Sequence, residues 1–422
     1  MTPTIIAGLA IFVATYVLIA TERIHKTIAA MAGGVAMILL GIVSQERAFE
    51  EIDFNVIFLL AGMMILAAII RKTGVFGWMA VRAARLAGGD PYRVLVILSV
   101  ITAVASAFLD NVTTVVLVGP ITLFLAARMG LNPFPFIVSE ILVSNIGGAS
   151  TLIGDPPNIL IGSAAGLGFA DFLVHMAPLS LLLLAVYLLA ARWLFRGQLV
   201  LDAERRESLL ALDERQMITN PRLLRSSLLV LGLTLVGFVL HGALHLEPAT
   251  VALTGAVALM IVAREDPHEI LREVEWPTLF FFIGLFMLVA GVIEIGLIGA
   301  VADTITSLTG GVLAPTTILV MWASALLSGV IDNIPYTATM IPVVAQLSTG
   351  HESDALWWGL AIGADLGGNA TIIGASANVI LASMAEREGH RISFVSFLRY
   401  GLPVTIGSMA IATVYVWLRY LL

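Results

Sequence analysis

Asn145-Ile146-Gly147-Gly148-Ala149-Ser150-Thr151-Leu152-Ile153-Gly154 returns 220 residues later as Asp365-Leu366-Gly367-Gly368-Asn369-Ala370-Thr371-Ile372-Ile373-Gly374. A second motif behaves alike. Asp110-Asn111-Val112-Thr113-Thr114, with Pro120 downstream, reappears at an offset of 222 as Asp332-Asn333-Ile334-Pro335-Tyr336, with Thr337 and Pro342 downstream. Both copies of both motifs lie inside strongly apolar sequence. Polar, glycine-broken segments at matching places in two halves of a membrane chain point to a secondary-transporter site between inverted repeats.

The match extends outward from the motifs. Glu51, Asp53, Phe58, Gly62, Gly74 and Gly77 pair with Glu273, Glu275, Phe280, Gly284, Gly296 and Gly299 at 222; Phe169, Phe172, Leu173 and Pro178 pair with Phe394, Phe397, Leu398 and Pro403 at 225. Residues 1–196 and 226–422 therefore read as two copies of one unit, joined by a linker over 197–225. Apolar runs long enough to span a bilayer fall near 4–20, 28–44, 54–70, 136–162 and 176–195, and again near 227–244, 248–263, 277–293, 356–383 and 401–421. Runs 94–127 and 315–348 each carry an Asp-Asn motif at their midpoint. A straight helix would strand that motif in hydrocarbon at a cost of several kcal/mol; a re-entrant hairpin of two short helices puts it at a tip that water can reach. The expected fold is all-α and polytopic: two inverted-topology repeats of five spans plus one hairpin each, with discontinuous helices at the midplane.

Composition agrees. Of 422 residues, 59% are hydrophobic and 12% charged, and the mean hydropathy is +1.00. Soluble chains are about a quarter charged, so lipid must serve as solvent here. The net charge of −7 gives no basic face for nucleic acid. There is no cysteine, which removes disulfides and thiolate metal sites. Met1-Thr2-Pro3-Thr4 lacks a basic leader, so the first apolar run reads as a span and not a signal peptide. No nucleophile elbow, phosphate loop or dinucleotide fingerprint stands where strand and helix could support it, so an enzyme is not expected.

Charge also predicts orientation. The connector after the third span carries Arg71, Lys72, Arg82, Arg85 and Arg93, while its counterpart over 293–315 has no Lys or Arg. Basic loops stay cytoplasmic. The first connector and hairpin 94–127 are thus expected inside, and the second connector and hairpin 315–348 outside. The linker (Arg192, Arg196, Arg205, Arg206, Arg215, Arg222, Arg225) and the loop with Arg387, Arg391 and Arg399 fall inside. Both termini fall outside a prokaryotic inner membrane. Residues 198–222 read as a polar, partly helical connector, and 75–87 as an interfacial amphipathic helix.

Two constellations carry chemistry. At the tips, Asp110, Asn111, Asp332 and Asn333, flanked by Thr113 and Thr337, offer hard oxygens for Na⁺ or a carboxylate for a coupling proton; the plain alternative is N-capping. At the breaks, Gly147-Gly148 and Gly367-Gly368 favour unwinding. Asn145, Ser150 and Thr151, and Asp365, Asn369 and Thr371, add side-chain oxygens, with Gly147 and Gly367 freeing carbonyls. Asn158 and Asn378 cap the restarted helices, whose N-termini favour anions. Close packing of small residues is the plain alternative. Asp155 has Ala375 as its counterpart, while Asn145 faces Asp365, so the halves differ in their acidic groups; Asp155 is either a ligand or a simple N-cap. Glu140 reads as interfacial, with a proton site as the alternative, Glu294 and Asp303 as solvated, and His175, His241, His245 and His390 as span ends without metal-ligand spacing.

These motifs resemble the ion transporter superfamily, and most closely its arsenite permease and P-protein branch. The resemblance rests on Asp110-Asn-Val-Thr-Thr, Asn145-Ile-Gly-Gly-Ala-Ser-Thr-Leu-Ile-Gly-Asp-Pro-Pro-Asn158, Ile331-Asp-Asn-Ile-Pro-Tyr-Thr-Ala-Thr-Met-Ile-Pro342 and Leu366-Gly-Gly-Asn-Ala-Thr-Ile-Ile-Gly-Ala-Ser-Ala-Asn378, and it covers nearly the whole chain. The related divalent anion/sodium symporters imply a homodimer with a fixed scaffold and a mobile transport domain. Their Ser-Asn-Thr tips bind sodium. Asn111 and Asn333 carry over; Asp110, Asp332, Val112 and Ile334 do not. Each tip gains a negative charge and loses a hydroxyl, which disfavours a dicarboxylate and favours proton coupling, a bound cation, or a neutral or weakly charged substrate. The resemblance implies transport of a small anion or metalloid such as arsenite, coupled to H⁺ or Na⁺ and with no cofactor. The alternatives are a sodium/proton antiporter of the NhaD type and a sodium-coupled carboxylate or sulfate symporter.

Overall fold

The computed structural model describes residues 2–21, 23–199, 214–349, 351 and 353–422. Among these, every regular element is helical. The first half runs α1 (Pro3–Thr21), α2 (Lys26–Leu39), α3 (Gln45–Glu50), α4 (Phe54–Arg71), α5 (Val75–Leu86), α6 (Pro91–Phe108), α7 (Asn111–Met129), α8 (Phe134–Gly148), α9 (Pro156–Ala165), α10 (Phe169–His175) and α11 (Ala177–Leu194). After a 3₁₀ turn at Glu214–Met217 the second half repeats the order. It contains α12 (Pro221–Leu240), α13 (Pro248–Ala263), α14 (Pro267–Arg272), α15 (Trp276–Glu294), α16 (Leu297–Thr309), α17 (Leu313–Ser328), α18 (Asn333–Ser348), α19 (Ala355–Gly367), α20 (Ser376–Arg387) and α21 (Phe394–Val416).

Local chemistry sets these boundaries. Asp53 caps α4 through Asn55 N at 2.9 Å, Asp90 caps α6 through Arg93 N at 2.8 Å, and Asn220 caps α12 through Leu223 N at 3.0 Å; each cap satisfies an orphan amide of the first turn. Pro91, Pro156, Pro221, Pro248 and Pro267 open their helices, where the missing N–H costs nothing. Gly74 and Gly296, matched at 222, both adopt left-handed φ (76° and 75°) at the entries to α5 and α16, a conformation that favours glycine.

Partners are exchanged reciprocally between the halves. α2 packs on α15 and α4 on α13; α9 packs on α18 and α20 on α7. A pseudo-two-fold relation produces this pattern. Two layers result, one of α1, α2, α4 and their mates, the other of the hairpins and broken helices. At the centre, α8 and α19 are buried on every side, as helices of an interior must be. α6 and α7 both pack on α8, and α17 and α18 both on α19, so each Asp-Asn run folds back as a hairpin. The outer faces of α1, α11, α12 and α21 expose Val13, Val17, Leu182, Leu189, Leu229, Leu233, Ile406 and Val414, surface suited to lipid.

The seams between α6 and α8, and between α17 and α19, are built of small residues. Ser106 Oγ donates to Ser144 O at 2.7 Å, and Ser328 Oγ to Ala364 O at 2.6 Å. A Cβ on Gly367 would lie 2.7 Å from Ala325 Cα, and one on Gly147 would lie 2.6 Å from Ala103 Cα. These glycines therefore serve close backbone packing, the plain alternative.

Several boundaries differ from expectation. The hairpin arms run Pro91–Phe108, Asn111–Met129, Leu313–Ser328 and Asn333–Ser348, longer than the short helices expected, and both arms of the first are long and apolar enough to span. Runs 136–162 and 356–383 are each split in two, as the glycine-rich breaks lead one to expect. Eight helices pass as spans among the described residues, nine if α9 and α10, bent by 114°, count as one. The helix expected at 227–244 starts at Pro221, where Asn220 and Pro221 give a stronger start signal than hydropathy does. The linker expectation over 198–222 falls largely on residues 200–213, outside the described residues. Segment 75–86 is helical, but its apolar face packs on α7 and the 214–217 turn, with Arg82 bound to Glu214 at 2.8 Å.

Gly367→Val should overpack the α17–α19 seam, costing about 1–3 kcal/mol or more and lowering the melting temperature in detergent. Gly299→Ala, whose Cβ would meet nothing closer than 3.9 Å, should melt as the parent does. Equal melting of the two variants would contradict the seam described here.

Candidate functional site

The two hairpin tips and the two helix breaks meet at the buried interface of the halves. Asp110 caps α7, accepting from Thr113 N at 2.9 Å and Thr113 Oγ1 at 2.5 Å. Asp332 caps α18 through Ile334 N at 3.1 Å; its other oxygen accepts from Ser376 Oγ at 2.5 Å and pairs with Lys26 Nζ at 3.3 Å. Capping is thus real at both tips, and at Asp332 it coexists with an ion pair.

The tip asparagines point inward. Asn111 Nδ2 donates to Asn145 Oδ1 at 3.2 Å and to Asp155 Oδ2 at 2.9 Å. Asn333 Nδ2, from the other half, donates to Asp155 Oδ1 at 3.3 Å. Asp155 is fully buried and makes no side-chain cap on α9. It is the acceptor that joins both tips, which decides against the simple N-cap. Asn145 continues the chain, donating to Asn369 Oδ1 at 2.9 Å and Asn378 Oδ1 at 3.1 Å. Asn369 Nδ2 returns to Leu142 O at 3.1 Å.

The breaks are held by matched asparagines. Asn158 Nδ2 donates to Gly148 O at 3.4 Å and Thr151 O at 3.0 Å; Asn378 Nδ2 donates to Gly368 O at 2.8 Å and Thr371 O at 3.0 Å. Asn158 and Asn378 therefore satisfy carbonyls freed by the break and do not cap the N–H groups of their own helices. The hydroxyls expected as ion ligands are engaged elsewhere. Ser150 donates to Gly147 O at 2.5 Å, Thr151 to Ala107 O, Thr371 to Gly329 O at 2.6 Å, and Thr337 to Asn333 O at 2.7 Å. In a water-poor interior such groups must find partners, and the nearest backbone supplies them. Asp365 is fully buried, and neither of its carboxylate oxygens has a hydrogen-bond partner.

A cavity of about 590 Å³ reaches both tip aspartates; Arg23, His25, Lys26, Glu275, Thr278 and Ser376 also line it. A second, of about 450 Å³, is lined by Asn55, Leu152, Ile159, His241, Glu247 and Pro248 among others and includes neither tip. The repeat offset carries His25 and Lys26 onto Glu247 and Pro248, and Ile159 onto Val379, which lines the first cavity. The two cavities are therefore pseudo-symmetric mates.

Sequence reasoning missed Lys26, whose position at the head of an apolar run reads as an ordinary span flank. Its ammonium also lies 5.1 Å from the Phe281 ring centroid. Tyr16 was missed too; its hydroxyl donates to Pro335 O at 2.5 Å and contacts Thr339, tying α1 to the second tip. Glu140 is not interfacial. It is 1% exposed, takes the Thr122 hydroxyl on one oxygen, and has no partner on the other. Glu294 and Asp303 are exposed, as expected.

Asp155→Ala should strand the Asn333 amide and one of the two hydrogen bonds of the Asn111 amide, at about 1–3 kcal/mol for each buried donor left unpaired, and lower the melting temperature. Asp155→Asn keeps one acceptor and should fall between alanine and wild type. Wild-type melting of the alanine variant would contradict the joining role of Asp155.

A family model described as a citrate transporter matches residues 16–363. The chain is 45% identical to an uncharacterised transporter of Mycobacterium tuberculosis over 98% of both chains, and 42% identical to the 46 kDa membrane protein of Mycobacterium leprae over 99% of both. It is 36% identical to the human P protein, over 96% of this chain and 59% of that one, so it spans about three fifths of that longer relative. The crystal structure of the Alcanivorax borkumensis YdaH transporter, described as having an unusual topology, superimposes with a TM-score of 0.63 over 99% of this chain and 98% of the other. At 13% identity this is a likeness of fold. Buried polar tips in an apolar helical protein, together with these matches, identify the chain as a multi-pass secondary transporter of the citrate transporter family, within the ion transporter superfamily and homologous to the P protein.

Proposed function

We propose that the chain moves a small anion across the membrane, coupled to H⁺ or Na⁺, by elevator-type alternating access. The observation that carries this reading is the inequality of the two mated cavities: one reaches Asp110 and Asp332, the other stops at Leu152 and Ile159. A single central site open to one face at a time has that form. Arg23, His25 and Lys26 on the open cavity suit an anionic substrate such as a carboxylate, consistent with the family's description; a metalloid oxyanion fits the same chemistry. Asp110, Asn111, Asp332 and Asn333 form the coupling-ion centre in this reading.

The basic connector supports an orientation. Lys72 binds Glu265 at 2.6 Å, Arg71 binds Glu273, and Thr219 N donates to Thr73 O at 3.1 Å. The connector, the linker end and loop 264–275 thus share one face with Pro277 and Thr278 of the open cavity. Basic loops lie in the cytoplasm, so the cavity opens inward and the repeats are inverted. The hairpin layer is the moving part of the elevator, and the layer of α1, α2, α4 and their mates is the scaffold and the homodimer surface.

A second reading, sodium/proton antiport, draws on the acidic excess. Asp110, Asp155, Asp332 and Asp365 gather at the centre, and among the described residues Lys26 is the one cation bonded to any of them.

The test uses everted vesicles with a respiration-driven pH gradient, to which citrate, arsenite, Na⁺ or Li⁺ is added in turn. Citrate or arsenite should collapse the gradient, and Asp110→Asn/Asp332→Asn should abolish the response while still inserting, because asparagine caps as well as aspartate. Collapse by Na⁺ or Li⁺ alone would replace the anion reading with the antiporter. An unchanged response in the double variant would remove the tips from the mechanism.

A further inference from the structure

The pseudo-two-fold is broken at one pair of side chains. Asn145 on α8 and Asp365 on α19 occupy equivalent positions, as do Asn158 on α9 and Asn378 on α20. Both latter asparagines spend their amide hydrogens on carbonyls of their own break. Across the interface, Asn145 Nδ2 donates to Asn378 Oδ1 at 3.1 Å. In the mirrored place the Asn158 side chain reaches Asp365, yet Asn158 Oδ1, Asp365 Oδ1 and Asp365 Oδ2 make no hydrogen bond of good geometry. Both residues are fully buried. Three buried acceptors thus lack a well-placed donor, where the other half has a donated hydrogen bond. An unpaired buried charge costs far more than an unpaired dipole.

The other central carboxylates are satisfied as anions. Asp110 holds Thr113; Asp332 holds Ile334 N, Ser376 and Lys26; Asp155 accepts from two amides. We propose that Asp365 is a proton-binding residue that carries a carboxyl hydrogen in this conformation and donates it to Asn158 Oδ1, the role Asn145 plays toward Asn378. A bound cation fits less well. Hard cations such as calcium and magnesium gather about six oxygens, and the adjacent carbonyls of Gly148 and Thr151 are already bonded to Asn158. The charges around Asp365 favour the same answer. α17 brings no titratable side chain, α18 brings Tyr336 with Asp332 at its cap, α8 brings Glu140, and α9 is preceded by Asp155; α21 brings Arg399, Tyr400 and Tyr415, while His175 stacks on Trp358 of α19. Asp365 lies close enough to act on Asp155, and two anions there would repel.

Protonation itself stands apart from the carrier reading; its use in coupling rests on that reading. The test is infrared spectroscopy of the purified full chain in lipid at neutral pH, reading the C=O stretch of protonated carboxyls. It is made in a Glu140→Gln background, because Glu140 is also buried with a free oxygen. A protonated-carboxyl band should be present, lost in Asp365→Asn, and kept in Asp110→Asn and Asp155→Asn. Asp365→Asn supplies a permanent donor to Asn158, so it should melt at or above the parent, with Asp365→Ala below it. Absence of the band, a band unmoved by Asp365→Asn, or a saturable Na⁺ stabilisation lost only in Asp365→Asn would overturn the assignment. The band with no flux coupled to either H⁺ or Na⁺ in vesicles would support protonation and sink the coupled-carrier reading instead.

Discussion

Everything at the centre of this protein follows from breaking two fully buried helices where there is little water to repair the break. Carbonyls freed after Gly148 and Gly368 must be bonded within the protein, and Asn158 and Asn378 do this in both halves with the same pair of acceptors. Once each asparagine is committed by its amide, its carbonyl oxygen faces the partner half and requires a donor there. That requirement links the breaks, brings Asn145 and Asp365 to equivalent stations, and leaves the tips to close the arrangement on Asp155.

Symmetry and its violation carry different parts of the function. Reciprocal packing of α2 on α15 and α4 on α13 is the symmetric frame on which the proposed alternating access would rest. In the proposed cycle the departures from symmetry would give direction and chemistry. Lys26 stands where the mate has Pro248, Asp155 where it has alanine, and Asp365 where it has asparagine. Each difference is a charge, and each lies at a break or, for Lys26, is bonded to a tip.

Much of this was legible in the sequence. The repeat, both hairpins, both breaks and the family were readable because a break inside apolar sequence demands glycine and polar residues at fixed spacing. Gly147 and Gly367 are ambiguous for the same reason: glycine that permits unwinding and glycine that permits backbone contact look alike, and only the contacts with Ala103 and Ala325 on the neighbouring arms reveal the packing role. Hydroxyls such as Thr151 and Thr371 read as ligands but bond to carbonyls of the opposite arm, a partner more than 40 residues away. Glu140 looked interfacial because its helix end is short of polar residues; its burial depends on how α7 covers α8. Lys26 was hidden because a lysine heading a span is commonplace, and its target lies 306 residues on.

Cysteine accessibility addresses alternation most directly, since the chain contains no cysteine of its own. Val379 and Ile159 are symmetry mates on the two cavities. Single-cysteine variants at each would be exposed to a membrane-impermeant thiol reagent from either face, across pH and Na⁺ conditions that drive the cycle. Alternating access predicts that Val379→Cys labels only from the cytoplasm, that Ile159→Cys labels only from outside, and that conditions raising one lower the other. Labelling of both at once from their own faces, or of one variant from both faces, would contradict it.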